Sequence, residues 1–379
     1  MIQRLLETVV KERLFKKKGI IIVGPRQVGK TTLLRQLMET THKQQLLLNC
    51  DEPDVRERLN LPNSSQLQAL IGNAELVLID EAQRVKDIGI TLKLLIDNFP
   101  NVQVIVTGSS ALELSNSINE PLTGRKFEYT MLPFSIQELV EQSSQLEQNR
   151  LLEHRLVYGM YPDVVTNYGN EREILNNIVS SYLYKDIFAF QDIRKPEIIE
   201  KLLQALALQL GSEVSFNELS KLLGIDTLTV QRYIDLLEKS YIVFSLKSFS
   251  RNLRNELKKS RKIYFYDNGV RNAIISNFNP VALREDIGAL WENFMISERL
   301  KRNIYAADYN NSYFWRTTQQ QEIDYIEEKE GNLYTYEFKW NKNKKVQLNR
   351  TFSTNYPNSY FAVINSENYF EFVLNNQKT

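Results

Sequence analysis

One stretch of the chain carries residue types at a spacing that few chemistries need: Gly24, Pro25, Arg26, Gln27, Val28, Gly29, Lys30, Thr31 and Thr32. It fits G-x-x-x-x-G-K-[ST], with the apolar run Ile20–Val23 before it and helical periodicity from Thr31 onward. Glycines at those positions let backbone N–H groups turn inward around phosphate oxygens at a helix N-terminus. Lys30 would neutralise charge on the β- and γ-phosphates, and the Thr31 hydroxyl would ligate Mg²⁺. The expected ligand is ATP with Mg²⁺.

A second element fits the same chemistry. The apolar strand Leu76–Ile79 ends in Asp80 and Glu81, which is the Walker B arrangement. Asp80 is expected to hold Mg²⁺, and Glu81 to orient and deprotonate an attacking water. A third apolar run, Val102–Val106, ends in Thr107-Gly108-Ser109-Ser110, where a polar side chain can touch the γ-phosphate or the lytic water. Ser109 and Ser110 are equivalent on this ground.

Two further sets of residues stand outside that loop. Glu292 falls on a helix, Asp324 in the strand Glu322–Ile326, and Glu337 with Lys339 in the strand Leu333–Trp340. Strand period puts Glu337 and Lys339 on one face, so three carboxylates and a lysine could converge. Hard oxygen ligands of that kind suit a second Mg²⁺ or Mn²⁺. Arg316 is read either as a phosphate contact or as a surface ion pair. Between Arg251 and Lys262, six basic residues (Arg251, Arg254, Lys258, Lys259, Arg261, Lys262) face one acidic residue, Glu256. That patch suits phosphate contacts.

The elements that must position these residues follow from periodicity. Gly19–Val23, Leu46–Leu48, Leu76–Ile79 and Val102–Val106 are short and rich in branched residues, as buried parallel strands are. Helical stretches such as Thr31–Met38 and Thr91–Asn98 separate them, which makes an α/β layered domain. Residues 135–205 read as helix, broken at Gly159–Val165. Next comes Phe216, Leu219, Leu222 and Leu223 on one helical face, then the turn Gly224-Ile225-Asp226. A second helix buries Val230, Tyr233, Ile234 and Leu237 and turns Thr229, Arg232 and Asp235 outward; Asp226 or Thr227 caps it. Two strands joined by the basic stretch complete a winged helix-turn-helix, a DNA-contacting module in one reading and a structural or protein-binding one in the other. A long helix near Asp286–Arg302 and three strands follow. The expected division is 1–135, 136–210, 211–280 and 281–379.

Composition limits the alternatives. The chain has 379 residues, and 47 Lys plus Arg against 46 Asp plus Glu give a net charge of +1, so no global field draws it to nucleic acid. Cys50 is the one cysteine, and His42 and His154 are the two histidines, which leaves no intramolecular disulfide and no Cys-rich zinc site. No apolar run approaches the roughly 20 residues of a membrane-spanning helix. A reducing, cytoplasmic setting is expected, with no membrane partner.

Over nearly its whole length the chain resembles a prokaryotic family of AAA+ ATPases that carry an extra C-terminal domain. The resemblance rests on GPRQVGKTTL, LIDEAQ, VTGSSALEL, LTGRKFEYTMLPFSIQEL, GMYPDVV, WENF, EIDYI and EFKW. The family's usual Gly-Gly before an aromatic residue and Pro is here Gly159-Met160-Tyr161-Pro162. Arg125 matches a family arginine after the sensor strand, which implies a γ-phosphate contact, made as a finger if a neighbouring subunit of a homo-oligomer supplies it. The order Glu292, Asp324, Glu337-x-Lys339 resembles the PD-(D/E)xK restriction-endonuclease-like superfamily, over roughly residues 283–379. The implied architecture is multi-domain α/β: a P-loop NTPase parallel sheet, a helical extension, a winged helix-turn-helix and a C-terminal α/β restriction-endonuclease-like domain. The implied activity is ATP hydrolysis coupled to DNA engagement, with an ATP-gated nuclease or a protein-partner switch as alternatives.

Overall fold

The computed structural model describes residues 2–109, 121–183, 196–249, 261–317, 319–344 and 346–375. The chain divides into two compact units, one formed by Met1–Leu132 with Lys239–Tyr241 and the other by Pro133–Glu238 with Ile242–Thr379. The stretches 136–210, 211–280 and 281–379, separate in the sequence reading, lie within the second unit apart from Lys239–Tyr241.

The first unit is built on five strands: β1 (Gly19–Val23), β2 (Gln45–Asn49), β3 (Leu76–Asp80), β4 (Gln103–Gly108) and β5 (Lys126–Thr130). They pair in the order β2-β3-β4-β1-β5, every neighbour parallel. Strands β1, β3 and β4 are buried along their whole length. That burial explains why they read as unbroken apolar runs rather than alternating ones. Ile21, Val23, Val77, Ile79, Val104 and Val106 form the core on one face, with Leu92 and Leu95 packed onto it. Residues leaving β1, β3 and β4 at their C-terminal ends therefore gather along one edge of the sheet, where ligands of open α/β sheets bind.

In the second unit, the seven strands β6 (Glu213–Val214), β7 (Val243–Ser248), β8 (Arg261–Phe265), β9 (Asn311–Arg316), β10 (Glu322–Lys329), β11 (Asn332–Phe338) and β12 (Ser359–Ile364) make one sheet, ordered β12-β11-β10-β9-β7-β8-β6. The pairing of β7 with β9, Lys247 opposite Tyr313 and Ser248 opposite Phe314, joins the middle strands to the C-terminal ones. Strand β10 is antiparallel to β9 and β11, whereas β12 is parallel to β11. The helix Ile287–Tyr305 buries Leu290, Trp291, Phe294 and Met295.

The break at Gly159–Val165 has a local cause. A Cβ on Gly159 would stand 2.1 Å from Asp267 Oδ1. The other oxygen of that buried carboxylate accepts Met160 N–H at 2.7 Å, while Oδ1 caps the helix Asn268–Ile274 through Val270 N–H. Pro162 then opens a short helix, Pro162–Thr166, at the position where its missing N–H is harmless.

Candidate active site

At the C-terminal edge of the first sheet, the backbone after β1 doubles back sharply. Gly24 has φ +152°, and a Cβ there would lie 2.0 Å from the Met131 carbonyl oxygen, so no other residue fits. Gln27 (φ +61°) and Gly29 (φ +95°) continue the loop in left-handed backbone. Gly29 is the N-cap of the helix Lys30–Thr40, whose Leu33, Leu34 and Leu37 anchor it in the core. This is the loop-to-helix form the sequence predicts for Gly24 to Thr32, including Pro25, Arg26 and Val28.

Lys30 is buried, and its Nζ donates to the carbonyl oxygens of Gly24 (2.8 Å) and Pro25 (2.7 Å). The ammonium is thus folded over the loop mouth. Thr31 Oγ1 donates to Asp80 Oδ2 at 2.7 Å, and Thr107 Oγ1 donates to Asp80 Oδ1. The backbone N–H of Glu81 reaches Asp80 Oδ1 at 3.1 Å. Two hydroxyls and an ionisable carboxylate therefore meet beside the lysine, and hard oxygen donors of this type fit Mg²⁺. Glu81 leaves β3 with φ +53°, which turns its side chain away from the strand's alternation.

Three contributors escape a reading of the sequence. Thr107, at that strand end, donates from its hydroxyl to Asp80. Gln83 donates from Nε2 to Glu81 Oε2 (2.6 Å) and to Ser109 Oγ (2.8 Å). Its position two residues after the carboxylates is the one signal that could have exposed it. Arg4, buried at 4% exposure, donates to Val28 O (2.7 Å) and to Leu132 O (2.6 Å), across 24 and 128 residues. No local pattern announces a contact of that range. Cys50, beside the same strands, has its thiol pushed up to about 12 by burial and then by the Asp80 charge, so it stays protonated.

Ser109 belongs to this constellation, while Ser110 lies outside the described residues. Arg125 does not join its own chain's site. Its carbonyl accepts Gly19 N–H at 2.9 Å, at the start of β1, and its guanidinium pairs with Asp97 at 2.7 Å on the surface. Five residues of strand separate that edge from the loop, roughly 16 Å.

In the second unit, Glu292, Asp324, Glu337 and Lys339 share one electrostatic neighbourhood, yet they do not make the expected metal site. Among the described residues no group of three His, Cys, Asp or Glu side chains could hold a metal ion. Ammonium and hydrogen-bond donors take one oxygen of each carboxylate. Lys262 Nζ (3.0 Å) and Tyr264 Oη (2.6 Å) donate to Glu292, and Lys262 also pairs with Glu322. Phe338 N–H (2.8 Å) and Lys339 Nζ (3.1 Å) take Asp324 Oδ2, and Lys339 pairs with Glu337 at 2.7 Å. Burial, opposed by Lys262 and reinforced by the Asp324 charge, raises the Glu292 carboxyl to about 7. Burial and then Asp324 likewise raise Glu337 to about 7. Arg316 sits in ion pairs with Glu213 and Glu322, each at 3.8 Å, as the ion-pair reading expects.

Of the residues expected to meet DNA, Arg232 is exposed on the helix Thr227–Lys239, and Arg261 lies over the Phe216 ring at 5.4 Å. Arg251, Arg254, Lys258 and Lys259 lie outside the described residues. Asp226 caps its helix as read, accepting Thr229 N–H at 2.9 Å. No helix among the described residues is long and apolar enough to cross a membrane.

Sheet order, loop and carboxylates define a P-loop ATPase-like fold, to which the second unit adds a further α/β sheet. Residues 16–140 match the family described as "AAA domain". Residues 149–281 and 287–376 match two domains of unknown function, DUF8612 and DUF4143. The uncharacterized protein Rv2008c of Mycobacterium tuberculosis is 27% identical over 336 residues, covering 87% of this chain and 72% of its own length. An uncharacterized protein of Haemophilus influenzae is 26% identical over 333 residues, covering 83% and 80%. Among solved structures, the Walker-type ATPase PABY2304 of Pyrococcus abyssi shares the fold, with a TM-score of 0.51 at 17% identity over 73% of this chain and 96% of that one.

Proposed function

We propose that this chain binds ATP with Mg²⁺ at Gly24–Thr32 and hydrolyses it. The observation that carries the reading is the meeting of Lys30, Thr31, Asp80 and Glu81 at one sheet edge, with Thr31 bonded to Asp80 at 2.7 Å. Lys30 exchanges its two carbonyl partners for phosphate oxygens, and the first N–H groups of its helix face the same anion. Thr31 and Asp80 hold the metal, which when bound neutralises phosphate charge and orients the triphosphate. Glu81 aims a water and takes its proton on a carboxylate oxygen. The test is ATP turnover by the wild type beside Lys30→Ala and Glu81→Gln. Loss of tight ATP binding in the first, and retained binding without turnover in the second, are expected. Normal turnover in Glu81→Gln removes the base from this scheme.

A second reading concerns coupling to DNA, and one observation favours it. The succession of helix Pro196–Leu208, β6, helix Phe216–Leu223, helix Thr227–Lys239, β7 and β8, with β8 paired to both β6 and β7, has the order of a winged helix. The basic stretch 251–262 follows β7 and runs into β8 along the chain, where a wing belongs, and Arg232 stands exposed on the second helix of the pair. ATP turnover stimulated by duplex DNA, with salt-sensitive binding weakened by neutralising Lys258, Lys259 and Arg261, is the expected result. Binding indifferent to those charges would move the module to a protein partner. Arg125, paired to Asp97 in its own chain, would serve a nucleotide in a neighbouring subunit.

A further inference from the structure

Gln83 has no part in the scheme above, yet all of its amide chemistry is spent on two residues that do. Nε2 donates to Glu81 Oε2 at 2.6 Å and to Ser109 Oγ at 2.8 Å, and Oε1 accepts Ser109 N–H at 3.3 Å. A primary amide has two N–H donors and one carbonyl acceptor, so every function of the group is engaged. The carboxylate decides which way the amide faces, because the flipped amide would set C=O against Glu81 oxygen. The tight turn Ala82–Arg84, closed by Arg84 N–H to Glu81 O at 3.0 Å, folds Gln83 back over the residue two before it.

We infer that Gln83 is a positioning residue for the hydrolytic step, fixing the Glu81 carboxylate and setting the polarity of the Ser109 hydroxyl. The inference rests on the ATPase reading. One Glu81 oxygen is held by the amide, which aims the other at the water. Ser109 Oγ accepts from Gln83, so its own hydrogen is directed onward and can be donated to a phosphate oxygen or to that water. Strand ends β3 and β4 are thereby tied through one side chain, and a shift at Ser109 is felt at the base.

The experiment compares kcat and KM for ATP in the full chain as wild type, Gln83→Leu, Gln83→Asn, Ser109→Ala and the double variant that carries Gln83→Leu with Ser109→Ala. Gln83→Leu should lower kcat about tenfold or more while KM stays within about threefold, since ground-state binding belongs to the loop. Adding Ser109→Ala to it should cost little more, because both changes break the same link. Unchanged kcat in a folded Gln83→Leu protein, or losses that multiply in the double variant, would overturn the inference. Should Gln83→Leu not fold, Gln83→Asn and Ser109→Ala each carry the test: both must lower kcat at near-constant KM, and wild-type kcat in either rejects the role. A wild type that binds ATP without turning it over removes the hydrolytic reading itself, and this inference with it.

Discussion

The hydroxyl of Thr31 donates to the Asp80 carboxylate across 2.7 Å, joining the first turn after the loop Gly24–Gly29 to the end of a strand 49 residues away. Thr31→Ala and Asp80→Asn should each leave the fold intact and raise the Mg²⁺ concentration needed for half-maximal ATP turnover by about tenfold or more. One lost hydrogen bond to a charged group corresponds to about 1.5–3 kcal/mol. Titration of turnover with Mg²⁺ checks this, and an unchanged Mg²⁺ requirement in both variants would detach the pair from the metal.

Arg4 should matter out of proportion to its place near the N-terminus. Arg4→Met keeps an apolar stem of similar length but leaves the Val28 and Leu132 carbonyls without their guanidinium donors. Destabilisation of about 2–4 kcal/mol is expected, together with faster hydrogen exchange in residues 24–32. Denaturant unfolding and exchange mass spectrometry read the two effects separately.

Gly159→Ala should destabilise the second unit severely, by about 3 kcal/mol or more, because the new methyl would meet the buried Asp267 carboxylate at 2.1 Å on a φ of +74°. Gly124→Ala is the control, with positive φ but nothing within 4 Å of the added carbon. It should cost no more than about 1–2 kcal/mol. Equal melting temperatures for the two variants would contradict the packing argument.

Stability should also depend on pH through the carboxylates of the second unit. Glu292 and Glu337 are raised in the fold from 4.5 to about 7, so the folded state holds more protons than the unfolded chain between those values. Their contribution is complete below about pH 4.5 and is lost as pH rises through 7. Glu292→Gln removes one of these titrations and should flatten the fall in unfolding free energy across that window, by at most about 1.4 kcal/mol per pH unit. A slope identical to wild type would mean that Glu292 enters the fold ionised.

Much of this protein was legible along the chain because its signals are local. Strand Gly19–Val23 has the predicted limits, and the strands near residues 46, 76 and 102 differ from their predicted limits by one or two residues at their ends, where polar residues pair without changing the apolar pattern. The loop-to-helix form from Gly24 to Thr31 and the place of Asp80 and Glu81 at a strand end could be read from spacing, since both lie next to the apolar runs that flank them. What the spacing could not reveal depends on contacts between distant segments. Thr107 meets Asp80, Arg4 reaches two carbonyls in other parts of the unit, and Gln83 turns back on Glu81. The C-terminal carboxylates show the same limit from the other side. Their order along the chain suggested a metal site, but Lys262 and Lys339 pair with one oxygen of each carboxylate, and Lys262 comes from a strand outside the motif. Sequence by itself determined which segments form strands and where the glycine-bearing loop meets its helix, because those depend on neighbouring residues. Only the tertiary structure decided which charges are already paired, since ion pairing depends on distance in space.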